Sequence, residues 1–155
     1  MSKAKSRAGQ RRTSGFSLIE LMIVVVIVAI LSSIAYPSYL NQVTQARRVD
    51  AQAVLMDATQ FMERFYTENN RYDQDTGGTA VALPAQLRES PRDSGTKSYD
   101  ITVQVATAST YTLQATPKNA QAGDGFIQIT NTFAKGWDSD SSGALSAAEQ
   151  TWSQY

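Results

Sequence analysis

Apolar residues fill the chain from Phe16 to Tyr36 almost without interruption, and from Leu21 to Leu31 no side chain is polar. Some 20 helical residues at about 1.5 Å each match a bilayer core of about 30 Å. Pro37 follows, removing one helical hydrogen bond, and is expected to kink or loosen the helix there. Residues 38–69 then hold neither proline nor glycine. Ala51, Val54, Leu55, Ala58, Phe61, Met62 and Phe65 recur at spacings of three and four, the apolar stripe of an amphipathic helix. Arg47, Arg48, Asp50 and Asp57 lie largely off the stripe and read as a solvated or intermolecular surface. Asn69-Asn70 ends the pattern.

Residues 73–98 read as loop, punctuated by Gly77-Gly78, Pro84, Pro91 and Ser94-Gly95, with a short helical turn at 84–89. Three strand signals follow. Tyr99, Ile101, Val103 and Val105 alternate with Asp100, Thr102 and Gln104; Tyr111, Leu113 and Ala115 alternate with Thr112 and Gln114; Phe126, Ile127 and Ile129 precede a turn at Asn131. Period two means one face buried and one wet, and the buried face should meet the helix stripe. Residues 106–110 form the first hairpin turn and 117–125 a longer loop. The expected fold is α+β: one long N-terminal helix, with residues 38–69 packed on an antiparallel sheet of three or four strands.

Composition narrows the chemistry. There is no cysteine, hence no disulfide framework and no thiol or zinc–thiolate site, and no histidine, which excludes Ser–His and Cys–His nucleophile systems. Formal charge is zero over 14 cations and 14 acids, but Lys3, Lys5, Arg7, Arg11 and Arg12 all precede residue 15 with no acid among them. A chain starting at Phe16 would carry 9 cations against 14 acids, a formal −5. That argues against a general nucleic-acid binder, which needs basic surface to displace counterions.

A basic segment ahead of an apolar run also suits a secretory signal peptide or a plain single-pass anchor, and places the N-terminal side in the cytoplasm. Neither explains Glu20, the one charge in the run. A carboxylate within a membrane helix costs about 2.5–3.5 kcal/mol on insertion scales and marks a functional site. The stretch Gly15-Phe16-Ser17-Leu18-Ile19-Glu20-Leu21 resembles the class III signal of the type IV pilin family. The resemblance implies a leader, residues 1–15, cut after Gly15 by the inner-membrane prepilin peptidase. It implies N-methylation of Phe16, and a Glu20 at mature position five that pairs with the N-terminal amine of a neighbouring subunit. A carboxylate in an apolar filament core gains a cation only when subunits stack, and a glycine lets a protease approach the backbone. Pro37 matches a proline common in related pilins. The helix exit Glu63-Arg64-Phe65-Tyr66-Thr67-Glu68-Asn69-Asn70-Arg71-Tyr72 is similar to that of PilE-type minor pilins and of the major type II secretion pseudopilin.

The C-terminal segment carries a second motif. Asp138, Asp140, Ser142, Gly143, Ala144, Ser146 and Glu149 fall at positions 1, 3, 5, 6, 7, 9 and 12 of an EF-hand-type loop. Ca2+ takes six to eight oxygens. Here Asp138, Asp140 and Ser142 would offer side-chain oxygens, Ala144 its carbonyl, Ser146 a bridging water, and Glu149 both carboxylate oxygens. Leu145 stands where such loops tuck an apolar residue inward. A polar linker is the plain alternative. Many related pilins close this region with a disulfide; in a cysteine-free chain Ca2+ is expected to fasten it instead.

The reading is a minor-pilin-like structural subunit of a type IV pilus. It would wait in the bacterial inner membrane on residues 16–37 with its head formed by 38–155, then be passed by the pilus assembly machinery into a cell-surface filament that serves adhesion or twitching motility. No catalysis by the chain itself is expected. Three rivals remain: a pseudopilin of type II secretion, a membrane-anchored periplasmic calcium-binding module that never polymerises, and a DNA-uptake receptor. The last would have to build a basic patch from scattered cations such as Arg88, Arg92, Lys97, Lys118 and Lys135.

Overall fold

The computed structural model describes residues 15–93 and 95–152; all of the expected leader, 1–15, except Gly15 lies outside them. Helix α1 runs from Leu18 to Asn69, 52 residues, and is assigned through Pro37 without a break. Lacking an N–H, Pro37 leaves the Ser33 carbonyl without its helical donor. The helix ends because Asn70 takes a left-handed conformation (φ 57°) while its N–H returns to the Tyr66 carbonyl at 2.6 Å. Asparagine tolerates that geometry better than other side chains bearing a Cβ.

The chain divides into two compact units after Leu40. In the first, the apolar stretch of α1 is exposed along its length, every large side chain from Leu18 to Leu31 included. It is long and apolar enough to cross a membrane.

The second unit is the head. Its sheet has five strands in sequential order, all pairs antiparallel: β1 (Glu89–Ser90), β2 (Tyr99–Ala106), β3 (Tyr111–Pro117), β4 (Ile127–Thr130) and β5 (Lys135–Trp137). The three central strands are those the alternation marks out. The two edge strands, of two and three residues, are too short to show a period and raise the count above the three or four expected. Tyr99, Ile101, Leu113, Ala115, Ile127 and Ile129 form the inner face and join Ala51, Val54, Leu55, Ala58 and Met62 of α1 in one core. A 3-10 turn at Ala85–Leu87 matches the expected short helix.

Val105 departs from the pattern. It was expected on the buried face and is 51% exposed. Register shifts between Val103 and Val105, so that Val103 faces Leu113 but Val105 faces Thr112. One extra residue, Gln104, inverts the side-chain sense beyond it.

Candidate functional site

At the N-terminus, Gly15, Phe16 and Ser17 precede the helix, and the Ser17 carbonyl accepts the Leu21 N–H at 3.2 Å. Phe16 is 82% exposed. Glu20 sits in the first turn of α1, where a negative charge favours the unpaired N–H groups of a helix start. A fully exposed apolar run this long is not stable facing water, so it must be covered by lipid or by other apolar helices.

At the other end of the chain, residues 138–149 close on themselves. Carboxylate oxygens of Asp138, Asp140 and Glu149 lie within 4.8 Å of one another. Asp138 is 2% exposed and Glu149 4%. Asp138 Oδ1 and Oδ2 accept the Ser142 and Gly143 N–H groups at 2.9 and 3.0 Å, and Asp140 Oδ1 accepts Ser142 N–H at 2.9 Å. The Ser142 hydroxyl lies 3.0 Å from the Ala144 carbonyl and 3.4 Å from Asp138 Oδ1. Gly143 has φ +85°, which permits the sharp turn the motif needs. Leu145 is half-buried and rests on Gly136 of β5, where even an added Cβ would lie 2.1 Å from it. The carboxylates of Asp138, Asp140 and Glu149 thus lie together, with the Ser142 hydroxyl bonded between the Ala144 carbonyl and Asp138 Oδ1. The Ser146 hydroxyl donates instead to Glu149 Oε2 at 2.9 Å, and the Ser146 N–H donates to the same oxygen at 3.0 Å as one half of a capping box on the 3-10 turn Ala147–Glu149.

Sequence reasoning did not single out Ser139, which donates both N–H (2.7 Å) and hydroxyl (2.8 Å) to Glu149 Oε1. Hydrogen bonds from the Ser146 N–H, the Ser139 hydroxyl and the Ser146 hydroxyl hold the Glu149 carboxyl down to about 2. The Asp140 carboxyl is likewise lowered, chiefly by Ser142. Both groups are therefore anionic at neutral pH and able to face a hard cation without first losing a proton.

Behind this loop lies a second polar centre that the sequence does not reveal. Arg48, expected to be solvated, is mostly buried and forks onto Asp124 through Nε at 2.8 Å and through Nη2. The partners are 76 residues apart, a pairing no local pattern can signal. The scattered cations are also engaged. Arg92 pairs with Asp57, Lys118 bridges Glu89 and Asp100, Arg88 Nε donates to the Leu83 carbonyl, Lys97 Nζ donates to two carbonyls, and Lys135 Nζ sits 4.7 Å over the Trp152 ring.

A helix that exposes an apolar half and buries an amphipathic half under an antiparallel sheet defines a pilin, and comparison with known proteins agrees. The chain belongs to the type IV pilin family: the model described as type IV minor pilin ComP, DNA uptake sequence receptor, matches residues 37–128, and the prokaryotic N-terminal methylation motif matches residues 10–36. A type IV wide pilus major component, PilA4 of Thermus thermophilus, is 36% identical over 52% of this chain and 60% of its own length. The type II secretion system core protein G of Aeromonas hydrophila is 33% identical over 52% of this chain and 62% of its own. Both matches span less than two thirds of those relatives. The solved non-core minor pilin PilV of Neisseria meningitidis is 17% identical, with a TM-score of 0.47 over 61% of this chain and 85% of that one.

Proposed function

We propose that this chain is a structural subunit, a minor pilin, of a type IV pilus. The observation that carries the reading is Glu20, a lone carboxylate in the first turn of an exposed apolar helix that opens on Gly15-Phe16. The prepilin peptidase cuts between Gly15 and Phe16 and methylates Phe16. The remaining chain stays in the bacterial inner membrane, with its N-terminal side toward the cytoplasm and its head outside. On assembly each Glu20 meets the N-terminal amine of a neighbouring subunit, which offsets the cost of a buried carboxylate. The test is the intact mass of the protein produced with and without a prepilin peptidase. Loss of residues 1–15 with one methyl added to Phe16 is the expected result; an uncut chain would overturn the reading and leave a simple anchor.

The likeness to core protein G favours a pseudopilin as the second reading, and gene neighbourhood among pilus or secretion components separates the two. The DNA receptor in the matched family's description draws little support from this chain, whose head is acidic and whose cations are largely committed to internal partners.

The C-terminal loop is proposed to bind Ca2+ through Asp138, Asp140, Ser142, the Ala144 carbonyl and Glu149, with Ser146 acting through water. When bound, the ion would offset the mutual repulsion of three carboxylates and fasten the tail as a disulfide does in other pilins. Serine at position 5 supplies less charge than aspartate, so the expected Kd is on the order of 10⁻⁵–10⁻³ M. Calorimetric titration of Ca2+ into the full chain in detergent should show saturable binding, weakened at least about tenfold by Glu149→Gln. No saturable heat, together with an unchanged melting temperature after chelation, would rule the ion out.

A further inference from the structure

The apolar core takes hold of α1 only from Ala51 onward. No residue from Asn41 to Asp50 belongs to the core, and Val49 is 53% exposed. What fastens this stretch is polar. The Thr44 carbonyl accepts Gln121 Nε2 at 3.0 Å and Arg48 forks onto Asp124, while just beyond the stretch Gln52 Nε2 reaches the Trp152 carbonyl at 3.3 Å. Residues 44, 48 and 52 stand four apart, on one side of the helix. Their partners come from the β3–β4 loop and the C-terminal segment.

The centre of this seam is Asp124. Besides Arg48 it accepts the Tyr99 hydroxyl at 2.6 Å and Gln121 Nε2 at 2.9 Å, while its backbone carbonyl accepts Trp137 Nε1 at 2.7 Å. The Arg48 guanidinium lies 3.5 Å above the Trp137 ring. Such a fastening differs in kind from the core beyond it. A buried ion pair roughly balances its own desolvation, whereas apolar burial is a net gain that grows with area. Gln121 Oε1 adds a cost on the same seam, buried and without a partner among the described residues. The hold on residues 41–50 therefore depends on geometry, and the hold on 51–62 on burial.

We infer that residues 41–50 of α1 are a latched segment that releases from the head as a unit while residues 51–69 stay packed, a sub-global opening below the free energy of complete unfolding. This goes beyond pilin membership and does not depend on the Ca2+ reading. It gives the subunit two arrangements of the helix between Leu40 and Ala51 over one unchanged core.

The chain contains no cysteine, so paired spin labels can be placed without interference. One pair, on Gln45 and Thr116, reports the latch; a second, on Gln60 and Thr116, reports the core; all three sites are exposed. Distances are read by double electron–electron resonance on the full chain in detergent across a urea series. The Gln45–Thr116 distribution should broaden at lower urea than the Gln60–Thr116 distribution. Without urea, Asp124→Asn should raise the open population on the order of ten- to a hundredfold, the loss of charge-assisted hydrogen bonds, and leave the core pair narrow. Gln121→Ala, which removes the Nε2 contacts to the Thr44 carbonyl, the Tyr99 hydroxyl and Asp124 but keeps the Arg48–Asp124 pair, should act in the same direction and less strongly. Broadening of both pairs in a single transition, or a latch pair that stays narrow in Asp124→Asn, overturns the inference.

Discussion

Replacing Gly125 with alanine is expected to destabilise the head by roughly 3–5 kcal/mol, the sum of a left-handed backbone penalty and severe overpacking. Gly125 has φ +73°, and a Cβ added there would lie 1.6 Å from the Asp138 carbonyl oxygen and 2.7 Å from its carbon. These are backbone atoms in the turn that joins β5 to the C-terminal loop, and they have no rotamer by which to move aside. Asp138 N–H is itself bonded to the Phe126 carbonyl at 3.0 Å, so the two segments cannot separate without losing that bond. Gly143 provides the control. Its φ is +85°, but an added Cβ meets nothing within 4 Å, so Gly143→Ala should cost only the backbone term, about 1–2 kcal/mol. Both tryptophans, Trp137 and Trp152, lie in the head, so their fluorescence follows its melting without interference from the apolar helix. Gly125→Ala should melt roughly 10–20 °C below the parent. Equal melting of the two alanine variants would mean that the close approach at Gly125 is not real.

The second large effect is expected at Glu63. Its carboxylate accepts the Tyr72 hydroxyl at 3.0 Å and the Tyr111 hydroxyl at 3.0 Å, and the two rings meet edge to face at 4.8 Å. Glu63→Ala strands both hydroxyls beneath the helix end, at about 1–3 kcal/mol each. The variant should therefore lose roughly 2–5 kcal/mol, and Glu63→Gln less, because its amide oxygen still accepts one of the bonds. A titration adds a signature that mere destabilisation does not produce. Burial first and Glu63 second push the Tyr72 phenol up to about 12, and the same two causes raise Tyr111. Removing Glu63 should lower the Tyr72 midpoint in an ultraviolet titration, whereas an unchanged midpoint would show that Glu63 does not act on it. The sign for stability follows from the same shift. A phenol whose pKa is raised on folding contributes stability that is complete below pH 10, where the unfolded chain keeps its tyrosine protons. That contribution drains away as pH rises from 10 toward about 12, so the parent should show a steep alkaline loss over that window and Glu63→Ala a shallower one.

What could be read from the sequence was what repeats locally. The apolar run, the three-and-four stripe and the alternating strands each show several turns or pleats of their own period, and the helix and the three central strands fall where those periods lie. The class III signal and the loop of Asp138, Asp140 and Glu149 were legible for a related reason, since each packs its chemistry into a dozen or so consecutive residues. What escaped was either too short or too distant. β1 and β5 never complete a period. Val105 carries the right letter at the right parity, and one inserted residue turns it outward. Arg48 and Asp124, or Glu63 and Tyr111, meet only because the sheet lies against the helix, and charges read one at a time along a helix are assigned to water by default. The sequence was most misleading about which charged groups are free.

The strictly sequential order of the sheet has a consequence for how the head is made. Each strand pairs with the one just before it, so β-pairing never waits for a distant part of the chain. Among the described residues, the hydrogen bonds that span the most sequence return to α1, as in Arg48 with Asp124 and Glu63 with Tyr111. That helix is the first part of the head to leave the ribosome. The strands therefore arrive one hairpin at a time on a finished template, and an open sheet edge is exposed only until the next hairpin docks. A circular permutant with the same contacts but with α1 moved behind β5 would end in the same fold. It would form its sheet before there was anything to lay it on, and its cost would appear as slower folding and more aggregation, with little change in final stability.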